Sequence, residues 1–219
     1  VAVKVTNNGS NNMYGIYNNA YTGSVTDNGD IELAGTVTIT RDGGSTGSGN
    51  VYGIANGGAN RNTDGVISIT GGSVTVTKAN STTSGSLGIV SWNNGVTISG
   101  GTVTAGTASK ALWLVDSDSD NKTGLVKITG DAKVSLTSTD YKALIVQGDE
   151  SNTSTRVHQI NLTSGGSVTV KSTSSEESYY AFPVQGYFNL GSSTKITEGS
   201  LRSTADGINA GGGKLFQSD

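Results

Sequence analysis

A single all-β domain over residues 1–219, wound as a right-handed parallel β-helix of about six rungs, is the fold this sequence predicts. Two observations predict it. A phrase of two alternating segments around a glycine corner returns down the chain: Val66-Ile-Ser-Ile-Thr-Gly-Gly-Ser-Val-Thr-Val76, Val96-Thr-Ile-Ser-Gly-Gly-Thr-Val-Thr104, Val126-Lys-Ile-Thr-Gly130 and Ile160-Asn-Leu-Thr-Ser-Gly-Gly-Ser-Val-Thr-Val170. The composition, with 33 Gly and a single Pro, suits short strands and tight turns, and no amphipathic helical window breaks the pattern.

Each repeat divides into three strands. The first carries a small residue followed by a larger apolar one: Tyr14-Gly-Ile16, Tyr52-Gly-Ile54, Leu87-Gly-Ile89, Lys110-Ala-Leu112, Lys142-Ala-Leu144, Tyr180-Ala-Phe182 and Asp206-Gly-Ile208. The second holds the pairs Ile31/Leu33, Ile67/Ile69, Val96/Ile98, Val126/Ile128 and Ile160/Leu162, then Ile196. The third holds Val37/Ile39, Val74/Val76, Val103/Ala105, Val134/Leu136 and Val168/Val170, then Leu201. Pair members stand two residues apart and share one face of a strand, which places them inside. Third-strand markers at 37, 74, 103, 134, 168 and 201 give steps of 37, 29, 31, 34 and 33 residues, one three-sided coil plus loops of varying length. Between second and third strands stand Gly71-Gly72, Gly100-Gly101, Gly130-Asp131 and Gly165-Gly166, residues that turn the backbone through positive φ at low cost. Right-handedness follows from the general preference of parallel crossovers.

A net charge of −3 offers no overall basic character for a nucleic-acid backbone, so nucleic acid is not an expected partner. No apolar run reaches the roughly 20 residues of a helical membrane span. With no cysteine, disulfides, thiolate metal sites and cysteine nucleophiles are excluded together. Low charge and a Thr/Ser/Asn/Gly surface are the composition of exported proteins, so an extracellular or cell-surface location is expected, and Val1–Val5 already reads as a strand.

Three surfaces could carry function. Outward positions of the third strand give a ladder of hydroxyls, with Thr38, Thr75 and Thr104 at its centre, spaced to meet a repetitive ligand such as a crystalline polysaccharide or ice; Lys133, Lys171 and Arg202 intrude on it. On the first strand, Tyr17, Val90, Trp113, Ile145 and Pro183 form an outward column with Trp92 nearby, and an exposed indole or phenol face is a stacking platform for a sugar ring. The loop Asp116-Ser-Asp118-Ser-Asp120 follows a first strand. Aligning Lys110–Asp116 with Lys142–Gly148 brings Asp149 and Glu150 one rung away, a carboxylate set suited to calcium.

Catalytic residues are scarce. His158 is the only histidine and no G-x-S-x-G elbow accompanies it, while Glu176 and Glu177 sit in a Ser-rich loop. Lys110 and Lys142 beside the acidic loop leave a lyase of the pectate-lyase type as one alternative; ice binding through the threonines is a second. A structural segment of a larger surface protein or fibre, with end-to-end self-association through open rungs, is a third.

The stretch from Gly65 to Gly106 resembles the repeats of secreted bacterial carbohydrate-binding β-helix proteins, the clostridial cellulose- and pectin-binding group related in fold to pectate lyases, and of related surface adhesins. That resemblance implies export, calcium bound by acidic loops, and binding of polysaccharide or a host or cell-surface glycan without catalysis. Of the family's Asn-Asp-Gly-Ile first strand only Ala205-Asp-Gly-Ile208 keeps the core, so its calcium ligands carry over only to Asp206.

Overall fold

A computed structural model describes residues 2–6, 11–18, 30–41, 50–57, 65–78, 86–92, 95–107, 110–115, 125–138, 143–147, 157–172, 179–181, 185–190, 194–197, 201–203 and 215–217. These residues contain strands and turns and no helix. The first half of the chain supplies β1 (Ala2–Thr6), β2 (Met13–Asn18), β3 (Ile31–Leu33), β4 (Thr36–Arg41), β5 (Val51–Asn56), β6 (Val66–Ile69), β7 (Ser73–Lys78), β8 (Ser86–Ser91), β9 (Gly95–Ile98) and β10 (Thr102–Thr107). The second supplies β11 (Lys110–Val115), β12 (Leu125–Ile128), β13 (Lys133–Ser138), β14 (Leu144–Gln147), β15 (Val157–Leu162), β16 (Ser167–Ser172), β17 (Tyr179–Ala181), β18 (Gln185–Leu190), β19 (Thr194–Thr197), β20 (Leu201–Ser203) and β21 (Leu215–Gln217).

Every third strand belongs to the same sheet. The first sheet runs β1-β4-β7-β10-β13-β16-β19, the second β2-β5-β8-β11-β14-β17-β20, and the third β3-β6-β9-β12-β15-β18-β21. Pairing is parallel throughout, as in β4 on β7 with Val37 opposite Val74 and Ile39 opposite Val76, and β6 on β9 with Ile67 opposite Val96. Apolar residues two apart therefore line up in rows across each sheet. Val37, Val74, Val103, Val134 and Val168 from the first sheet, Ile54, Ile89 and Leu112 from the second and Ile69, Ile98 and Ile128 from the third join one continuous buried cluster. Burying each Ile or Leu is worth about 1.5–3 kcal/mol, so this cluster dominates the favourable side of folding.

The corner from the third sheet to the first keeps the hydrogen-bond ladder going while the chain turns. Thr70 N–H donates to Leu33 O at 2.9 Å and Ser73 N–H to Gly35 O at 3.0 Å; one repeat on, Ser99 N–H donates to Ile69 O and Thr102 N–H to Gly72 O, both at 2.9 Å. Gly72 and Gly101 sit at φ +77°, and a Cβ on Gly101 would come within 2.6 Å of the Gly71 carbonyl carbon, so both conformation and space demand glycine. The corner lengthens along the chain, from Ala34-Gly35, through Thr70-Gly71-Gly72 and Ser99-Gly100-Gly101, to Thr129-Gly130-Asp131-Ala132 and Thr163-Ser164-Gly165-Gly166. In the last of these the buried Ser164 hydroxyl donates to Ala132 O at 2.6 Å and accepts from Gly166 N–H at 3.1 Å, in addition to the backbone bonds from Thr163 N–H to Ile128 O and from Ser167 N–H to Ala132 O that match those of the shorter corners.

Towards the C-terminus the strand order departs from the sequence reading. Each sheet has seven strands where about six rungs were expected. Ile196, read as a second strand, lies on β19 in the first sheet opposite Val170, and Leu201, read as a third strand, lies on β20 in the second sheet opposite Tyr179. The third sheet is continued there by β18, with Phe188 opposite Ile160 and Leu190 opposite Leu162. The pattern hides this because Thr194 takes the register position of Val168, which removes half of the apolar pair that marks a first-sheet strand. Ala205–Ile208, read as a further first strand, lies outside the described residues.

Candidate functional site

The second sheet has an apolar outer face as well as an apolar inner one. The cause is the small residue in its strands. Gly15 is skipped in the register, with Tyr14 opposite Tyr52 and Ile16 opposite Ile54, and so are Gly88 and Ala111 further along. At this bend an added side chain has no room: a Cβ on Gly15 would collide with the Ile39 side chain and the Gly53 carbonyl, and one on Gly88 would meet Ala105 Cβ at 2.8 Å. The bend resets the alternation, so residues three apart face the same way. Ala111 and Leu112 both enter the core, while Lys110 and Trp113 share the other side.

Tyrosine makes use of this geometry. Tyr17 stacks on Tyr14 of the same strand with ring centroids 4.4 Å apart and planes 14° from parallel, and Tyr14 stacks on Tyr52 of the next strand at 4.7 Å and 8°. Trp92 closes the row, tilted by 44° at 6.0 Å from Tyr52. Underneath lie Ala55, Leu87 and Val90, a second buried cluster separate from the main core, with Tyr14, Trp92 and Trp113 packed on it. Tyr52 is 8% exposed and Tyr17 40%, so one end of the stack is buried and the other offers a free ring face to solvent.

Asparagines hold the phenols in place. Asn12 Nδ2 donates to Tyr14 Oη at 3.3 Å and Asn50 Nδ2 to Tyr52 Oη at 3.2 Å. The two Asn-x-Tyr units are tied together where Asn50 N–H donates to Asn12 Oδ1 at 2.8 Å. Burial pushes the Tyr52 phenol above its usual pKa of 10.0, against a smaller lowering by Asn50. Burial likewise raises that of Tyr17, with the neighbouring phenols Tyr14 and Tyr52 adding to it.

The expected outward column exists in register, with two changes. Tyr17, Ala55, Val90, Trp113, Ile145 and Tyr180 succeed one another across the sheet, so Ala55 fills a position left out of the sequence reading and Tyr180 stands where Pro183 was expected. Pro183 lies outside the described residues. Val90 and Ile145 are buried, and Lys110 Nζ sits 4.4 Å from the centre of the Trp113 ring, covering one of its faces. The Trp113 indole N–H is buried and makes no hydrogen bond.

On the first sheet the hydroxyl ladder is in register. Thr38, Thr75, Thr104, Ser135 and Thr169 form one row, and Thr36, Ser73, Thr102, Lys133 and Ser167 the row beside it, with Lys133 exposed in its line. The acidic loop residues Asp116, Asp118, Asp120, Asp149 and Glu150 lie outside the described residues, as do Lys142, Glu176 and Glu177. Val115, which leads into Asp116, is opposite Gln147, which leads towards Asp149, so the strands entering those loops are neighbours. Among the described residues no group of three or more His, Cys, Asp or Glu could hold a metal ion. His158 is on β15 opposite Gly186.

Comparison with known proteins finds no matching family, no matching curated protein and no matching solved structure.

Flat phenol faces with amide and hydroxyl groups at their rims offer aromatic contact and hydrogen bonds together. Tyr14, Tyr52, Asn12 and Asn50 were missed from sequence. The signal was there in the repeated Asn-x-Tyr-Gly-Ile of Asn12–Ile16 and Asn50–Ile54, but its value depends on the bend at the glycine, which strict strand alternation conceals.

Proposed function

We propose that this chain is a right-handed parallel β-helix acting outside the cell or on its surface as a polysaccharide-binding or adhesin-type module, with the Tyr17–Tyr14–Tyr52 row as its glycan platform. The observation that carries the proposal is the graded exposure of that row: three near-parallel phenols whose outermost member keeps a solvent-facing ring, each inner hydroxyl held by an asparagine. A preorganised aromatic face loses little side-chain freedom on binding, which favours weak, repeated contact with a long polymer. The cyclic order of strands through three parallel sheets and the one core they share support the solenoid reading. The repeat over Gly65–Gly106 supports the glycan class.

The test is a glycan array run with the intact chain and with Tyr17→Ala. Binding to at least one neutral polysaccharide that falls about tenfold or more in the variant supports the platform; unchanged binding removes it. Calcium at Asp116, Asp118, Asp120, Asp149 and Glu150 belongs to the same proposal, supported by the adjacency of the strands that enter those loops. A melting temperature that does not move at millimolar calcium would remove that part.

A further inference from the structure

The hydrogen bonds around the stacked tyrosines run in one direction. Asn12 Oδ1 accepts from Asn50 N–H at 2.8 Å, so the amide group left to face Tyr14 is the NH2, and its bond to the Tyr14 hydroxyl at 3.3 Å makes the phenol oxygen the acceptor. The same unit returns one strand on, where Asn50 Nδ2 donates to Tyr52 Oη at 3.2 Å. Each phenol proton is thereby turned away from its asparagine, and among the described residues neither proton has an acceptor. Burial, which raises the Tyr52 pKa, keeps that proton in place at neutral pH. Tyr17 and Tyr52 both stack on Tyr14, which leaves its hydroxyl rather than its ring faces for a ligand.

We infer that the tyrosine row selects an N-acetylated neutral glycan, one built from N-acetylhexosamine, and that Asn12 sets this choice by holding the Tyr14 proton outward. The inference rests on the platform proposed above and adds a substrate class to it. An acetamido carbonyl oxygen is a stronger acceptor than a sugar hydroxyl, and it carries no proton that needs a partner of its own. With rings 4.7 Å apart and 8° from parallel, Tyr14 and Tyr52 can address the two lone pairs of one such oxygen. The acetyl methyl adds apolar contact that a hydroxyl in its place lacks. A carboxylate or sulfate accepts as well, but desolvating it against the row needs a counter-charge, and Asn12, Tyr14, Tyr17, Asn50, Tyr52 and Trp92 carry none. Lys110, two strands beyond Tyr52, lies over the Trp113 ring instead.

The experiment is isothermal titration calorimetry of the intact chain with the linear tetramer of N-acetylglucosamine and with cellotetraose, which differ in an acetamido group against a hydroxyl on each sugar. The N-acetylated tetramer is expected to bind about tenfold or more tightly. Asn12→Asp keeps an acceptor for Asn50 N–H but gives the Tyr14 hydroxyl a carboxylate to donate to, and should cut the ratio between the two ligands to about twofold or less. Tyr14→Phe, which keeps the ring and removes the proton, should do the same, whereas Lys127→Glu on the third sheet should keep the parent ratio. Circular dichroism shows whether each variant is folded; if Tyr14→Phe is not, Asn12→Asp at its exposed position and the parent ratio decide. Equal affinity for the two tetramers, no binding of the N-acetylated one, or an unchanged ratio in folded Asn12→Asp would overturn the inference. If neutral-glycan binding is nevertheless lost in Tyr17→Ala, the platform stands without this selectivity; if Tyr17→Ala changes no glycan binding, both fall together.

Discussion

The outer faces of the first and second sheets are made from the same repeat and have opposite characters. On the first, unbroken alternation sends Val and Ile inward and Thr, Ser and Lys133 outward. On the second, a bend at Gly15, Gly88 or Ala111 spoils the alternation and brings outward residues three apart together, so Tyr14 meets Tyr17 and Lys110 meets Trp113. A strict strand spreads its outward side chains about 7 Å apart. A bent one gathers them into a cluster that buries Leu87 and Val90. The difference shows that in a parallel repeat the surface is set less by which residues point out than by whether the strand is straight.

The sharpest way to break the contrast is to straighten the bend. Gly15→Val would drive a branched side chain into Ile39 and the Gly53 carbonyl, and is expected to cost about 3 kcal/mol or more, read as a lower urea midpoint with unchanged slope. Next in size, Ile98→Ala empties a fully buried position on the third sheet, inside the main core, and should cost about 2–5 kcal/mol, a loss that does not depend on which outer face is intact.

Alkaline pH should separate the two faces. Tyr17 and Tyr52 have phenol pKa values raised above 10.0 by burial, so both forms of the chain keep these protons below pH 10. Above it the unfolded chain ionises first while the folded one still holds its protons. Stability is therefore complete below pH 10 and falls as pH rises from there through the raised folded values. Denaturant midpoints measured on either side of pH 10 should show this decline, and Tyr17→Phe with Tyr52→Phe should flatten it. An equal decline in the double variant would mean that other groups cause it. The smallest expected effect is on the first sheet: Thr104→Ala at an exposed outward position should change stability by no more than about 0.5 kcal/mol in the same assay.

Much of the interior was legible in the sequence because its signals are local. Pairs such as Ile67/Ile69 and Val96/Ile98 and the Gly-Gly corners each fit within a dozen residues, and they are found in register with one another. The 32-residue offset used to align Lys110–Asp116 with Lys142–Gly148 is the register seen between Leu112 and Leu144. The terminal repeat was misread where Thr194 replaced an aliphatic residue and Phe188 stood in for Ile. The tyrosine row was seen only at Tyr17, because Tyr14 falls on the same side only after the strand bends at Gly15. No single-strand pattern records that bend.

The corner that grows from Ala34-Gly35 to Thr163-Ser164-Gly165-Gly166 has a consequence for how such a chain can change in length. A residue inserted within a strand would swap every later side chain between interior and solvent. One inserted at this bend costs only a new partner for the extra peptide, as Ser164 supplies through Ala132 and Gly166. A single inserted residue should accordingly be better tolerated there than within a strand, which leaves the corner room to vary while the registers on either side stay fixed.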